Sequence, residues 1–226
     1  MFNRINVVDS TAFKISDNLK DVYKGTGSNS AIAAVKIQLQ YDILSGKFLA
    51  CDVSKGSKND SQYIPDTQKP IQPNDLILKD LGYFKMDDLN IIKEKQAFFI
   101  SKIKKECIVS IYDGKKYSQV DLLEMVKDLK EGEMLDIPQA AIGAKKELKI
   151  RLVVTKLSEE NRRKREIRDR EQHEQHKRHK SRMDDDRLEL WNSINIYITN
   201  IDENMLEPGR IHDVYSLRWT IMPISA

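Results

Sequence analysis

An alternating stretch near the N-terminus constrains the fold of this chain more than any other feature. In residues 31–43, "AIAAVKIQLQYDI", the side chains of Val35, Ile37, Leu39 and Tyr41 fall on one side of an extended backbone. This period of two predicts a β-strand, because successive side chains of a strand point to opposite faces of its sheet.

Two further apolar runs flank this strand. Residues 5–11, "INVVDST", form a short run that is expected to end at Asp9, and residues 46–54, "GKFLACDVS", follow a turn at Gly46. Short links that contain glycine are typical of an antiparallel meander. The first 54 residues therefore predict three neighbouring antiparallel strands.

Strand and helix patterns alternate in the next part of the chain. Residues 75–84, "DLILKDLGYF", make an apolar run that is expected to end at Asp80, and residues 97–103 are again strand-like. Between them lies a helical pattern that Asp87 or Asp88 could cap. This order predicts an α/β or α+β fold with a mixed sheet.

The second half of the chain passes from strand patterns to a charged helical pattern and back to a strand pattern. Residues 107–150 predict short strands around glycines with one helix at 119–129, and residues 146–157 predict a further strand. Charged residues run from 158 to 189 and favour a helix, before a strand pattern returns at 193–201.

Composition narrows the class of protein. No run approaches the roughly 20 apolar residues that a membrane span needs, and residues 1–8 are too short for a secretory leader, so we expect a cytoplasmic protein without a membrane partner. Cys51 and Cys107 lie in apolar runs and are expected to be buried free thiols in a reducing compartment. The net charge of +3 is weak evidence for a polyanionic partner.

Asp9 and Asp80 each follow an apolar strand. Two carboxylates that converge at a sheet edge repel each other, and a divalent cation such as Mg²⁺ or Mn²⁺ relieves that repulsion. The alternative is that each aspartate is an ordinary turn or cap residue where a strand ends.

The C-terminal stretch "YSLRWTIMPISA" places three unlike residues on one helix face. Tyr215, Arg218 and Met222 are spaced i, i+3, i+7, while Val214 and Leu217 begin an opposite, apolar face. The alternative is an ordinary amphipathic helix with Arg218 in solvent.

A basic segment precedes this stretch. Between positions 162 and 182 there are ten Lys or Arg residues against four Asp or Glu residues. The pattern indicates either a solvated helix or salt-sensitive contact with DNA phosphates. The candidate DNA-binding residues at its start are Arg162, Arg163, Lys164 and Arg165.

Four blocks in order resemble a known family. "VVDST", "KIQLQYDILSGK" and "ILKDLGYF" look like the catalytic core of DDE transposases, and "IYITNI" with "IHDVYSLRWTI" is similar to the third block of the insertion-sequence-four family. That signature reads Tyr, two residues, Arg, three residues, Glu, six residues, Lys. The resemblance implies a ribonuclease-H-like core at 1–106, a strand-rich insertion with the charged helix at 107–192, and a return strand and final helix at 193–226.

The resemblance also implies roles for single residues. Asp9 and Asp80 match the catalytic, metal-binding aspartates, and Tyr215 and Arg218 match residues that help hold the transposon end. The implied activity is DNA transposition by metal-dependent phosphodiester cleavage and strand transfer, with Mg²⁺ or Mn²⁺. The implied partners are double-stranded transposon ends and a second copy of the chain, in the bacterial cytoplasm at the nucleoid.

One position departs from the family. Met222 stands where the signature has its metal-binding glutamate, and a thioether is a poor ligand for a hard cation. The signature lysine would fall beyond Ala226, and only eight residues precede Asp9, so we expect an inactive fragment truncated at both ends. Two alternatives stay open: a non-catalytic DNA-binding or transposase-inhibiting protein, and an unrelated nuclease that would need Asp52 as a third acid.

Overall fold

The computed structural model describes residues 2–26, 32–176 and 185–224, with side chains except at 168–176, 185 and 221–224. The chain divides into two compact units. Unit 1 comprises Met1–Lys105 and Thr199–Ala226, and unit 2 comprises Glu106–Ile198.

Unit 1 contains a mixed sheet. Its strands are β1 (Arg4–Lys14), β2 (Ala34–Asp42), β3 (Lys47–Lys55), β4 (Asp75–Lys79) and β5 (Phe98–Lys102). They lie in the order β3-β2-β1-β4-β5. β2 runs antiparallel to β1 and β3, whereas β4 runs parallel to β1 and β5. The predicted antiparallel meander is therefore confirmed, and so is the mixed sheet.

The centre of this sheet is dry because its strands carry apolar residues on both faces. Val7 and Val8 of β1 and Leu76, Leu78 and Ile100 of the parallel neighbours are completely buried. A parallel strand that is covered on both faces reads as a continuous apolar run rather than an alternating one. "LIL" at 76–78 has this pattern and is followed by Lys79 and Asp80.

The described residues of unit 2 also form five strands. They are β6 (Val109–Tyr112), β7 (Tyr117–Val120), β8 (Met134–Ile142), β9 (Leu148–Lys156) and β10 (Ile194–Thr199), in the order β10-β9-β8-β6-β7. β7 and β8 both run antiparallel to β6, and β9 runs antiparallel to β8. Ala140, Ile142, Leu148 and Leu152 are completely buried and make a separate core.

The described part of the chain contains six α-helices. They are α1 (Ile64–Thr67), α2 (Met86–Glu94), α3 (Leu122–Val126), α4 (Glu159–His176), α5 (Asp185–Asn192) and α6 (Ile211–Ser216). In this described part, no helix is long and apolar enough to cross a membrane.

The predicted end of β1 at Asp9 is wrong. β1 continues to Lys14 because β2 is long enough to pair with it throughout, from Asn6 opposite Asp42 to Lys14 opposite Ala34. β4, in contrast, ends at Lys79, so Asp80 does follow its strand.

Two predicted helices have different boundaries or caps. α3 is shorter than 119–129, because Gln119 still pairs in the β6–β7 ladder and Asp121 then accepts the first backbone N–H groups of the helix. α2 starts after Lys85, and Asp88 is buried within its first turn rather than at the cap.

The final segment buries the face that carries Tyr215 and Arg218. α6 ends at Ser216 and a 3₁₀ helix, Leu217–Ile224, follows it. Tyr215 and Arg218 are buried, whereas Val214 and Leu217 are only partly covered. The alternative with Arg218 in solvent is therefore wrong, because the guanidinium has acidic partners inside unit 1.

The prediction of buried thiols is wrong for Cys51, which is exposed, and Cys107 is partly exposed. Cys51 lies on β3, the outer strand of the unit 1 sheet, where many side chains face solvent. An apolar run alone does not distinguish an outer strand from a central one.

Candidate functional site

The two predicted catalytic aspartates lie side by side, at the level where β4 ends beside its parallel neighbour β1. The register pairs Val8 of β1 with Lys79 of β4, so Asp9 and Asp80 are the next residue on each strand. Asp9 stays within its strand and its side chain is 22% exposed, while Asp80 follows β4 and its side chain is 48% exposed.

Arg218 binds both carboxylates. Its Nη1 donates to Asp9 Oδ2 at 3.4 Å, and its Nη2 lies 3.2 Å from Asp80 Oδ1. The arginine side chain is only 3% exposed, and its buried Nε has no hydrogen-bond partner among the described residues. A single guanidinium therefore bridges two acids that lie far apart in sequence from it.

Two aromatic rings enclose this guanidinium. Arg218 Cζ lies 4.2 Å from the centre of the Trp219 ring and 5.8 Å from that of Tyr215. The Tyr215 hydroxyl donates to the backbone oxygen of Lys79 at 3.3 Å, and burial raises the pKa of Tyr215 to about 12. The tyrosine is thus neutral at physiological pH and ties the final segment to the end of β4.

Burial dominates the electrostatics of Asp9. Desolvation raises the pKa of its carboxyl group, and the charges of Asp80 and Asp60 raise it further. The backbone N–H of Ser10 and the guanidinium of Arg218 act in the opposite direction without cancelling the effect. Burial therefore disfavours the ionised form of Asp9, and the guanidinium of Arg218 partly stabilises that form.

Asp60 is the acid that sequence reasoning missed. Its Oδ1 accepts hydrogen bonds from Ser10 Oγ at 2.8 Å and Gln38 Nε2 at 3.1 Å. A Cβ placed on Gly82 would lie 3.2 Å from Asp60 Oδ2 and 3.9 Å from Asp80 Oδ2, so the two acids flank this glycine. The only sequence signal was an aspartate after an asparagine in the polar connection between strands.

Asp52, the third acid that the nuclease alternative requires, is elsewhere on the sheet. It is exposed on β3, opposite Gln38. Among the residues whose side chains are described, Asp60 rather than Asp52 supplies the additional negative charge that acts on Asp9.

The arrangement does not fit a divalent cation as it stands. Within the described ranges, no group of three or more His, Cys, Asp or Glu side chains is placed to hold a metal. Arg218 already occupies the space between the two aspartates with a positive charge. Met222 lies in the 3₁₀ segment, and its side chain lies outside the described ones.

A comparison with protein families identifies the chain. The family model described as "Transposase DDE domain" matches residues 1–221. The chain belongs to the DDE transposase family. It is 36% identical to the transposase for insertion sequence element IS1151 of Clostridium perfringens and 32% identical to that for IS231B of Bacillus thuringiensis subsp. berliner. Each match covers 97% of this chain and 48% of the relative, so the chain spans about half the length of these relatives.

A solved structure confirms the fold class of this transposase-family chain. The chain matches a piggyBac transposase in a synaptic complex with hairpin DNA at a TM-score of 0.53 and 8% identity. The match covers 98% of this chain and 39% of the other. The fold is thus α/β with a mixed sheet and a ribonuclease-H-like core, as the resemblance implied.

The basic residues at the start of α4 make contacts within this transposase-family chain. Arg163 pairs with Glu159 and Lys164 with Glu160, each at 2.5 Å. Arg165 Nη1 donates to the backbone oxygen of Ile194 at 2.7 Å. Arg162 lies 3.3 Å from Glu189 and 3.5 Å from Glu166. The first two pairs are exposed, whereas Arg165 ties α4 to β10.

Unit 2 holds a second basic cluster that sequence reasoning missed, here called the lysine–tyrosine patch. Its members are Tyr112, Lys115, Lys116, Tyr117, Lys146 and Lys149. The two tyrosine rings lie 5.1 Å apart, Lys149 Nζ is 5.7 Å from the centre of the Tyr117 ring, and Lys146 Nζ donates to Tyr117 O at 2.6 Å. All four lysines are exposed. Lys146 and Lys149 contact Tyr117, which lies about 30 residues earlier in the sequence, and Lys115 and Lys116 directly precede that tyrosine.

Proposed function

We propose that this chain is the catalytic core part of an insertion-sequence-four transposase, which acts on DNA in transposition. Asp9 and Asp80 are the catalytic acids, and Tyr215 and Arg218 contact the transposon end. Residues 1–106 and 193–226 form the core, and residues 107–192 form the insertion. The observation that carries this assignment is the convergence of Asp9 and Asp80 on Arg218, inside a family match that spans residues 1–221.

The chain is inactive in strand cleavage. Met222 supplies no charge at the position of the family's glutamate, and Arg218 holds the two remaining acids. The test incubates the purified chain with supercoiled plasmid and end-labelled DNA from the flanks of its gene, in Mg²⁺ or Mn²⁺. We expect no cleavage above background.

The matched control carries Asp9→Asn and Asp80→Asn together. Cleavage that is present in the unchanged chain and absent from this double variant would refute inactivity. Cleavage that persists in both preparations comes from a contaminating nuclease, and further purification removes it. Met222→Glu alone is not expected to generate cleavage, because Arg218 still pairs with both aspartates.

Binding to double-stranded DNA without cleavage is the second candidate function. The lysine–tyrosine patch favours it, since its four exposed lysines can release counterions from DNA phosphates. Such a protein could also pair with a complete transposase and inhibit it. We place this activity in the bacterial cytoplasm, at the nucleoid.

A gel-shift titration at several salt concentrations tests this candidate. We expect Lys115→Ala with Lys116→Ala to weaken binding and to lower the slope of log K against log salt by about 0.9 for each phosphate that is no longer neutralised. The matched control is Arg163→Ala with Lys164→Ala on α4, where each residue already pairs with a glutamate. An equal weakening in both variants, or no shift at low salt, would count against the patch.

A further inference from the structure

The contact between Arg218 and the two aspartates is geometrically imperfect. Charge-assisted hydrogen bonds between nitrogen and oxygen are usually about 2.7–2.9 Å long, whereas these distances are 3.4 Å and 3.2 Å. Among the side chains that the structure describes, none forms a hydrogen bond with the buried Nε. Arginine remains protonated in proteins, so this group cannot relieve its incomplete pairing by losing its charge.

The charge of the cluster makes it sensitive to a competing cation. Two carboxylates face one guanidinium, and Asp60 adds another negative charge near Asp9. A divalent ion placed between the same carboxylates would lie within a few ångströms of the guanidinium, where like charges repel strongly. The two cations therefore exclude each other.

From this we infer that Arg218 is an internal counter-ion that competes with a divalent cation for Asp9 and Asp80. Cation binding requires the guanidinium to leave the carboxylates, and Arg218 sets how much cation is needed. The identity of the cation as Mg²⁺ or Mn²⁺ rests on the proposed function. The exchange itself rests only on the geometry.

Trp219 provides a direct readout of this exchange. Its ring lies 4.2 Å from Arg218 Cζ and is about half exposed. Departure of the guanidinium changes the surroundings of the indole and hence its fluorescence. The chain has one other tryptophan, Trp191 in α5, so Trp191→Phe leaves Trp219 as the single reporter.

The experiment titrates MnCl₂ into the full chain carrying Trp191→Phe, with and without Arg218→Gln. Calorimetry measures binding, and fluorescence measures the indole. We expect the Arg218→Gln chain to bind Mn²⁺ roughly 5- to 150-fold more tightly, a range typical of coupled sites. With Arg218 present, the fluorescence change should share the midpoint of the calorimetric curve.

Two results would overturn the inference: equal Mn²⁺ affinity with and without Arg218, or Mn²⁺ binding that leaves Trp219 fluorescence unchanged when Arg218 is present. Arg210→Gln is the matched control, because Arg210 pairs with Asp213 on the exposed side of the same segment. Its affinity for Mn²⁺ should equal that of the parent.

Further variants keep the test decisive. Adding Asp80→Asn to Arg218→Gln should abolish the gained affinity, whereas retained affinity would show that the ion binds elsewhere and refute the inference. If Arg218→Gln does not fold, Arg218→Lys replaces it. A single ammonium group cannot span both acids, so we expect the Arg218→Lys chain to bind Mn²⁺ more tightly than the parent. Because every readout is binding, an absence of DNA cleavage affects only the proposed function.

Discussion

Asp60 shows how much a single side chain in a connecting segment can organise. Its Oδ1 accepts from Ser10 of β1 and from Gln38 of β2, and Lys36 Nζ lies 3.2 Å from the same oxygen. Ser10 is the neighbour of Asp9 in sequence. Asp60 therefore links the strand that carries one candidate catalytic acid to the strand beside it.

We expect Asp60→Asn to lower the free energy of unfolding by about 1.5–3 kcal/mol. The amide lacks the charge that strengthens these hydrogen bonds, and bonds to charged groups contribute this range. Urea denaturation followed by circular dichroism measures the change. Asp52→Asn on the exposed strand β3 is the control, with an expected change within about 0.5 kcal/mol. A smaller effect at Asp60 than at Asp52 would contradict the role.

The sequence points to site residues that lie in a local pattern and misses contacts between residues far apart in the chain. Asp9 and Asp80 stood out because each follows an apolar run, a local pattern, and the family resemblance then gave them their role. The pairing of Arg218 with Asp9 joins residues 209 positions apart, and no local pattern carries that information. Asp60 was missed for the same reason, because its partners lie on two strands far from its own segment.

At the scale of elements, a buried ion pair fixes β4 to α2. Lys79 Nζ lies 2.9 Å from Asp88 Oδ2 and 2.7 Å from Thr67 Oγ1 of α1, and the two charged side chains are 6% and 1% exposed. Burial lowers the pKa of Lys79, and the carboxylate of Asp88 opposes that shift. The pair thus locks the residue immediately before Asp80.

We expect Asp88→Ala to cost about 3–5 kcal/mol, because it leaves a buried ammonium without its partner. Asp66→Ala is the matched control. Asp66 pairs with Lys69 at 2.7 Å on the surface, where such a pair contributes about 0–1 kcal/mol. Chemical denaturation of both variants checks the difference, and equal destabilisation would show that the buried pair is not what holds these elements.

The start of α3 contains a carboxyl group whose contribution to the stability of the fold depends on pH. Asp121 accepts from Leu123 N and Glu124 N and pairs with Arg187, and the hydrogen bond from Arg187 is the main cause that lowers the pKa of Asp121. A carboxyl group whose pKa is lower in the folded state stabilises the fold above its unfolded pKa. That contribution is lost as the pH falls through the folded value.

We expect the advantage of the parent over Asp121→Asn to be present at pH 7 and to shrink below about pH 4, near the ordinary pKa of an aspartate. Urea unfolding of both proteins between about pH 2.5 and pH 7 measures this difference across the range in which the carboxyl group titrates. A constant difference across that range would rule out the proposed linkage.

The elements themselves were largely predictable, whereas the end of β1 and the boundaries of α3 were not. The alternating and apolar runs found the strands of unit 1, because burial imposes those patterns. The end of β1 depends instead on the length of β2, and the buried face of the final segment depends on acids from other strands. Both are properties of partners rather than of the segment.

At the scale of the whole molecule, each compact unit has its own apolar core and its own tryptophan. Trp219 lies in unit 1 and Trp191 in unit 2. Units with separate cores can in principle unfold separately. We expect Asp88→Ala, which acts in unit 1, to shift the denaturation midpoint reported by Trp219 more than the one reported by Trp191.

Single-tryptophan chains make this measurement possible. Trp191→Phe reports unit 1 and Trp219→Phe reports unit 2, each with and without Asp88→Ala. Identical shifts from both reporters would mean that the two units unfold as one cooperative body.

The length of β1 has a consequence for redesign. Asp9 lies inside a strand that hydrogen-bonds to neighbours on both sides, so its backbone cannot tilt without breaking a ladder. In the part of the chain that the structure describes, the 3₁₀ segment that carries Arg218 packs against β1 but belongs to no strand ladder. An engineer who wishes to retune the polarity of this cleft should therefore leave the strand untouched and randomise the short stretch around the arginine.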